Sequence, residues 1–349
     1  MIKKLLFLSV TALCWSLNAQ QSYYNDVDLT KSGIALKDAL ATKIASTHTR
    51  NLSYTPGVWE ACKATDLNPS NSSQVLLVYG YSSSGTTART RGVNDNGGNS
   101  GDWNREHVYP KSLGTPNLGS SGPGADAHHL RPSDVSYNSQ RGNKKFATGS
   151  GNSGNVTGGW YPGDEWKGDV ARMMMYMYLR YGNQCLPKNV AIGTANTVDS
   201  NMIDLLLKWN AEDPVSNIED ARNTYHGNSS NTYAQGNRNP FIDNPNLATQ
   251  IWGGPVAENR WATASTKDHK LSSVEVYPNP SAIKKIFVKI PASVTVSNIT
   301  LYSVLGKKVL SVTPAFGQET LTLDNLAKGI YLLTLSNQQA STTKKIVIL

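Results

Sequence analysis

Only three of the 349 residues are cysteine, and Cys14 falls inside an N-terminal apolar run. Cys62 and Cys185 remain, so the rest of the chain can form at most one internal disulfide. In an oxidising compartment these two either pair, closing a long loop worth about 3–5 kcal/mol on the chain-entropy account, or stay as thiols. Long hydrophobic runs are scarce too. Past Leu17 no stretch approaches the roughly eighteen apolar residues of a membrane-spanning helix, so stable membrane insertion is not expected. The H-E-x-x-H spacing is missing, which argues against zinc hydrolase chemistry of that type. Positive charge is short where a polyanion would need it. The formal charge is +8, but Lys3 and Lys4 supply two of these, and residues 273–349 supply five from eight lysines against Glu275, Glu319 and Asp324. Residues 20–272 therefore carry +1, and phosphate recognition there has to come from a local patch.

The N-terminus reads as a secretory signal peptide over residues 1–19, with Lys3 and Lys4, an apolar segment from Leu5 to Leu17, then L-N-A before Gln20. Leu13 stands where lipidation of Cys14 would want a small residue, so no lipid anchor is expected. The length suggests two domains, placed at 20–261 and 273–349 with a polar linker over 262–272. In the first, Leu36, Leu40 and Ile44 predict an amphipathic helix over 32–46, residues 58–65 a second short helix, and Q-V-L-L-V-Y-G-Y at 74–81 a buried strand. Val170, Met173, Met174, Met177 and Tyr181 form a core stripe on a helix opened by Asp169. Further helices are expected from Asp199 or Ser200 to Asp213-Pro214, and from a capping box at Ser216 to Glu219 up to Gly227.

The window from Asp102 to Phe146 gathers the chemistry. Trp103 to Tyr109 is a short extended pattern ended by Pro110, residues 113–125 are turn and loop, and Ala127 to Arg131 is a second strand closed by Pro132. Ser133 or Asp134 then caps a helix through Tyr137, Arg141 and Lys145. Such a strand–loop–strand–helix unit places Glu106 and His107 beside the first helical turn, where Asn138 sits. A carboxylate, a carboxamide and an imidazole around one cavity suit a hard, oxygen-liganded cation together with a general base. Neighbours on a regular strand face opposite sides, so Glu106 and His107 can share a cavity only at a strand end or bulge. By the same rule at most one of His128 and His129 faces it. Arg105, Lys111, Arg131, Arg141, Lys144 and Lys145 supply the local positive patch.

N-R-E-H-V-x-P, D-x-H-H-L-x-P and N-x-x-R-G-N in this window, with K-G-D-V-A-R-M-M at 167–174 and Q-G-N-R-N-P-F-I-D at 235–243, resemble the endonuclease I family of ββα-metal (His-Me finger) nucleases. The resemblance implies an α+β fold, a ββα-metal finger nuclease domain with surrounding helices. It implies a metal-dependent endonuclease acting on DNA and/or RNA with little sequence specificity and leaving 5′-phosphate and 3′-hydroxyl ends. In that reading His107 is the general base. Glu106 and Asn138 hold Mg²⁺, or another divalent cation such as Mn²⁺ or Ca²⁺, with Asn143 as the alternative to Asn138. The family's transition-state arginine lies between the two strands, where residues 108–125 here offer Lys111 and no arginine. Arg105, Arg131 and Arg141 are the substitutes, Arg141 preferred because it follows Asn138 by about one helical turn. Arg105, Lys111, Arg131 and Lys144 are the expected nucleic-acid contacts. The carboxamides at 235–239 either shape the rim of the site or form a structural network.

Residues 273–349 change character. V-E-V-Y-P-N-P, I-F-V-K-I, L-Y-S-V-L-G-K-K-V, G-I-Y-L-L-T-L and K-K-I-V-I-L are short alternating strands at regular spacing, a small all-β sandwich. This set resembles the C-terminal sorting domain of type IX secretion cargo. It implies the type IX secretion machinery as a partner, an extracellular or cell-surface destination, and a tail that is often removed. A catalytically silent secreted binding or adhesive protein that keeps the nuclease fold is the competing expectation, and the intact Glu106, His107 and Asn138 set stands against it.

Overall fold

The computed structural model describes residues 22–261, 271, 273–304, 306–315, 318–337 and 341–349. The expected signal peptide and most of the expected linker lie outside these. The chain divides into two compact units between Trp261 and Ala262.

In the first unit, α1 (Gly33–Ser46) buries Leu36, Leu40 and Ile44, one turn apart along one face. Burying each is worth about 1.5–3 kcal/mol. A π-helical turn (Tyr54–Val58) leads into α2 (Trp59–Thr65). Strands β1 (Leu67–Asn68), β2 (Asn71–Leu76) and β3 (Thr90–Gly92) form an antiparallel sheet in that order. The strand expected over 74–81 therefore ends at Leu76. Leu77, Val78 and Tyr79 remain buried, but Tyr79 takes a φ of 71°, which breaks the extended run.

Strands β4 (Trp103–His107) and β5 (Leu130–Asp134) pair antiparallel, and α3 (Val135–Arg141) follows directly. β5 runs through Pro132 instead of stopping before it. The Pro132 carbonyl accepts the Val78 N–H at 2.8 Å. The nitrogen and carbonyl of one strand residue point to the same side, so the missing donor faces away from β4 and costs the ladder nothing. The Asp134 carboxylate caps α3, accepting from the Ser136 and Tyr137 N–H groups at 2.9 and 3.0 Å, a contribution of about 0.5–2 kcal/mol. The helix stops at Arg141, one turn short of Lys145, because Gly142 turns the chain with a φ of 56°.

A hairpin of β6 (Gly154–Val156) and β7 (Gly159–Tyr161) precedes α4 (Lys167–Tyr181), the central helix. Every residue from Gly168 to Leu179 is buried, so its apolar stripe widens to nearly the whole circumference. The remaining helices are α5 (Pro187–Val190), α6 (Asp204–Glu212), α7 (Asn217–Gly227), α8 (Pro240–Asp243) and α9 (Asn246–Trp252). α4 packs on α1, α5, α6 and α8. α6 begins later than the expected Asp199 or Ser200, since Asp199 instead accepts from Lys37 and Tyr178. α7 carries the expected Ser216–Glu219 capping box.

Buried ion pairs tie these elements together. Asp66, just after α2, accepts from Arg131 Nε at 2.6 Å and from Arg222 of α7. Arg131 also reaches Asp169 of α4 at 3.0 Å, and Arg172 of the same helix grips Glu219 through two bonds of 2.6 and 2.8 Å. A charge this deep is tolerable only when paired and hydrogen-bonded. Among the described residues no disulfide supplements this network. Cys62 and Cys185 are free and buried, and they sit in different hydrophobic clusters, so the pairing considered from sequence is not made. Burial pushes the Cys62 thiol up to about 12 and raises that of Cys185, which leaves both inert. In protein lacking residues 1–19, thiol titration should find two reactive groups after denaturation and none before. A denatured chain without free thiols would contradict this.

The second unit is a sandwich of a four-stranded and a three-stranded antiparallel sheet. Strands β8 (Glu275–Tyr277), β9 (Ile286–Lys289) and β12 (Thr320–Leu323) form the smaller sheet in the order β12-β9-β8. The larger contains β10 (Asn298–Ser303), β11 (Lys308–Val312), β13 (Gly329–Ser336) and β14 (Ser341–Ile348) in the order β11-β10-β13-β14. Strand alternation sends Leu333 and Leu335 inward to meet Ile286 and Val288 in one core, while Ile330 and Leu332 face out.

Candidate active site

Glu106 and His107 are the last two residues of β4. At that strand end both border one open cavity of about 300 Å³, together with Asn138 from the first turn of α3. Arg105, Pro110, Lys111, Ser112, Asn117, Gly142 and Asn143 complete its lining. The strand-end condition posed by adjacent residues on a strand is thereby met.

His107 is held at one edge. Its Nε2 lies 2.9 Å from the Gly124 carbonyl. A carbonyl oxygen can only accept, so Nε2 carries the proton and Nδ1 keeps a free lone pair. The ring stacks on Tyr54 at 5.5 Å and lies 5.6 Å from the His129 ring. Burial, then the neighbouring His129, Lys111 and Arg105, lower the imidazole to about 3 against the Gly124 hydrogen bond. His107 is thus neutral at physiological pH and able to accept a proton.

Glu106 is 3 % exposed. Its Oε1 accepts from the Tyr79 hydroxyl at 3.0 Å and stands 3.1 Å from Arg141, which leaves Oε2 for the cavity. Burial raises the carboxyl to about 7, while Arg141 and the Tyr79 bond pull it back. Asn138 donates Nδ2 to the Asn104 Oδ1 at 2.7 Å, which leaves its own Oδ1 as the unengaged end of the amide. One carboxylate oxygen and one amide oxygen make a hard donor set that fits a divalent cation such as Mg²⁺, which retains several waters and uses few protein ligands. Among the described residues no group of three or more His, Cys, Asp or Glu side chains gathers to hold a metal, so water and phosphate oxygens would complete the coordination sphere.

Two cations reach the cavity. Arg105 is sandwiched between Tyr54 at 3.6 Å and Trp59 at 4.1 Å, and it donates to the Tyr54 carbonyl and the Thr55 hydroxyl. Its Nε is buried without a partner among the described residues. Lys111 sits on the turn after Pro110, with Nζ 5.7 Å from the Tyr54 ring.

The other expected cations fall elsewhere. Arg141 is fully buried and does not line the cavity. It donates to the His107 and Val108 carbonyls at 3.1 and 2.8 Å and pairs with Glu106, so it braces the strand end and cannot meet a phosphate. Arg131 is likewise fully buried between Asp66 and Asp169, which corrects its assignment as a nucleic-acid contact. Lys144 is exposed outside the cavity lining, its Nζ turned to the Gln140 carbonyl.

Neither His128 nor His129 lines the cavity. His128 Nε2 lies 3.2 Å from both the backbone and side-chain oxygens of Asn237. His129 engages the Pro123 carbonyl through Nε2 and the Tyr109 N–H through Nδ1. The carboxamides of 235–239 are structural as well. Gln235 braces the Ala127 N–H at 2.6 Å and the Asp126 carboxylate at 3.1 Å, and Asn239 caps α8. Tyr54, Tyr79 and Asn104 received no role from sequence. Asn104 was findable, since it shares a strand face with Glu106 two residues away; the two tyrosines arrive from distant segments without a local signal.

The family model of Endonuclease I matches residues 32–246, a span that contains every residue lining the cavity. A secretion system C-terminal sorting domain matches residues 275–349. An extracellular ribonuclease of Bacillus amyloliquefaciens is 44% identical over 243 residues, covering 66% of this chain and 78% of the relative. An extracellular ribonuclease of Bacillus subtilis (strain 168) is 42% identical over 261 residues, covering 70% and 85%. With well over half its length matched and a sorting domain behind the cavity-bearing unit, the chain belongs to the endonuclease I family and is a secreted nuclease.

Proposed function

We propose that the cavity is the active site of a divalent-metal-dependent, sequence-nonspecific endonuclease that hydrolyses RNA, and also DNA, to 5′-phosphate and 3′-hydroxyl ends. The observation that carries this reading is the convergence of Glu106, His107 and Asn138 on one cavity with Arg105 and Lys111 at its wall. His107 accepts the proton of the attacking water at Nδ1, because Nε2 is engaged by Gly124. Glu106 and Asn138 hold a divalent cation, Mg²⁺ in the first instance, which when bound supplies positive charge against the crowded phosphorus and the departing 3′-oxygen. Arg105 and Lys111, the two cations in the lining, hold the phosphate in line; Arg105 takes the transition-state role expected of Arg141. Lys144 steadies the flanking strand from outside the cavity. Arg141 and Tyr79 keep the Glu106 carboxylate aimed. The names of the two Bacillus relatives support RNA as a substrate.

Single-stranded RNA, single-stranded DNA and duplex DNA digested side by side test this. RNA cleavage should stop with excess EDTA, return with Mg²⁺, and give 5′-phosphate ends. Cleavage that persists in EDTA, or that gives 2′,3′-cyclic phosphate ends, would overturn the mechanism.

A further inference from the structure

We propose that Asn104 is a positioning residue that sets the Asn138 amide with its oxygen toward the cation. The inference rests on the metal reading given above. Asn104 belongs to β4, two residues before Glu106, and its backbone is fixed opposite Ser133 in the β4–β5 ladder. Its side chain crosses to α3, where its Oδ1 takes the Asn138 Nδ2 hydrogen at 2.7 Å. Asn104 does not line the cavity, whereas Asn138 does, so it acts through Asn138 and not as a ligand.

The argument turns on the two unlike ends of a carboxamide. An acceptor at position 104 engages the NH₂ end of Asn138 and turns the oxygen end out. The reverse arrangement, with Asn104 donating, would occupy the Asn138 oxygen and present two N–H dipoles to a cation. An isolated amide can rotate between these states. An amide held by a fixed acceptor is preset, so no ordering cost remains when the cation arrives.

The measurement is Mn²⁺ binding to the metal-free full chain without substrate, read by electron paramagnetic resonance, with thermal midpoints from tryptophan fluorescence as a folding check. Asn104→Leu, which has no acceptor, should weaken Mn²⁺ binding about 10–100-fold. Asn104→Asp, which can only accept, should bind at least as tightly as wild type. If the leucine variant does not fold, Asn104→Ala carries the same expectation. Asn104→Leu binding as wild type, or Asn104→Asp falling as far as Asn104→Leu, overturns the inference. A gain in Asn104→Asp with Asn104→Leu unchanged reports charge alone and overturns it too. Wild type taking up no Mn²⁺, or Glu106→Gln binding as well as wild type, removes the metal reading and this inference with it. Normal behaviour of those two with an unaffected Asn104→Leu removes the inference alone.

Discussion

His107→Ala should lower the rate of phosphodiester cleavage by about 10²–10⁴-fold at saturating Mg²⁺. The proposed base is the imidazole with a free nitrogen at the cavity, and its neutrality needs no help from a neighbouring acid. Burial and the surrounding positive groups hold it near 3, so the proton-accepting form is fully populated across the neutral range. Removing it leaves Glu106, Asn138, Arg105 and Lys111 in place. Substrate and Mn²⁺ should therefore still bind, with the loss confined to turnover. Initial rates on single-stranded RNA, alongside Mn²⁺ titration of the same variant, separate the two effects. An unchanged rate would mean that another group takes the proton.

Asp66→Ala should destabilise the first unit by about 3–5 kcal/mol. The carboxylate is fully buried and receives Arg131 Nε at 2.6 Å, the Thr65 hydroxyl at 2.8 Å and Arg222. Its removal takes the carboxylate partner from two buried guanidinium groups, and the residual pair of Arg131 with Asp169 compensates only one of them. Against a domain stability of about 5–15 kcal/mol this is a severe loss. Seven of the eight tryptophans lie between residues 59 and 261 and the eighth, Trp15, in the expected signal peptide, so in protein lacking residues 1–19 their fluorescence follows the first unit alone in urea. With a slope of about 3 kcal/mol/M, the midpoint should fall by about 1–2 M. A shift within the scatter of an exposed substitution such as Lys144→Ala would show that the network contributes little.

The site was legible in sequence where its parts are local. Glu106, His107 and Asn138 belong to one strand–loop–strand–helix run, and the local pattern together with the family resemblance points to all three, which line one cavity. The capping box at Ser216 and the stripe of α1 follow from short-range periodicity in the same way. The arginines were not legible. Of Arg105, Arg131 and Arg141 the sequence reading prefers Arg141, yet Arg105 meets the cavity, Arg131 is locked between two distant aspartates, and Arg141 is folded back on the strand end. That difference is decided by Asp66 and Asp169, residues far away in the chain that no local pattern connects to Arg131. The strand through Pro132 was likewise hidden, because whether a missing N–H matters depends on which side faces a partner.

The Gly124 carbonyl that receives His107 has a wider consequence. The choice of which imidazole edge stays bare is made by a peptide oxygen, and a peptide oxygen survives every side-chain replacement. The proton transfer proposed for His107 would therefore be shielded from side-chain changes in the surrounding loop, with a sensitive point at Gly124 itself, where an added methyl would lie 2.2 Å from the Gly119 oxygen and force the backbone to move.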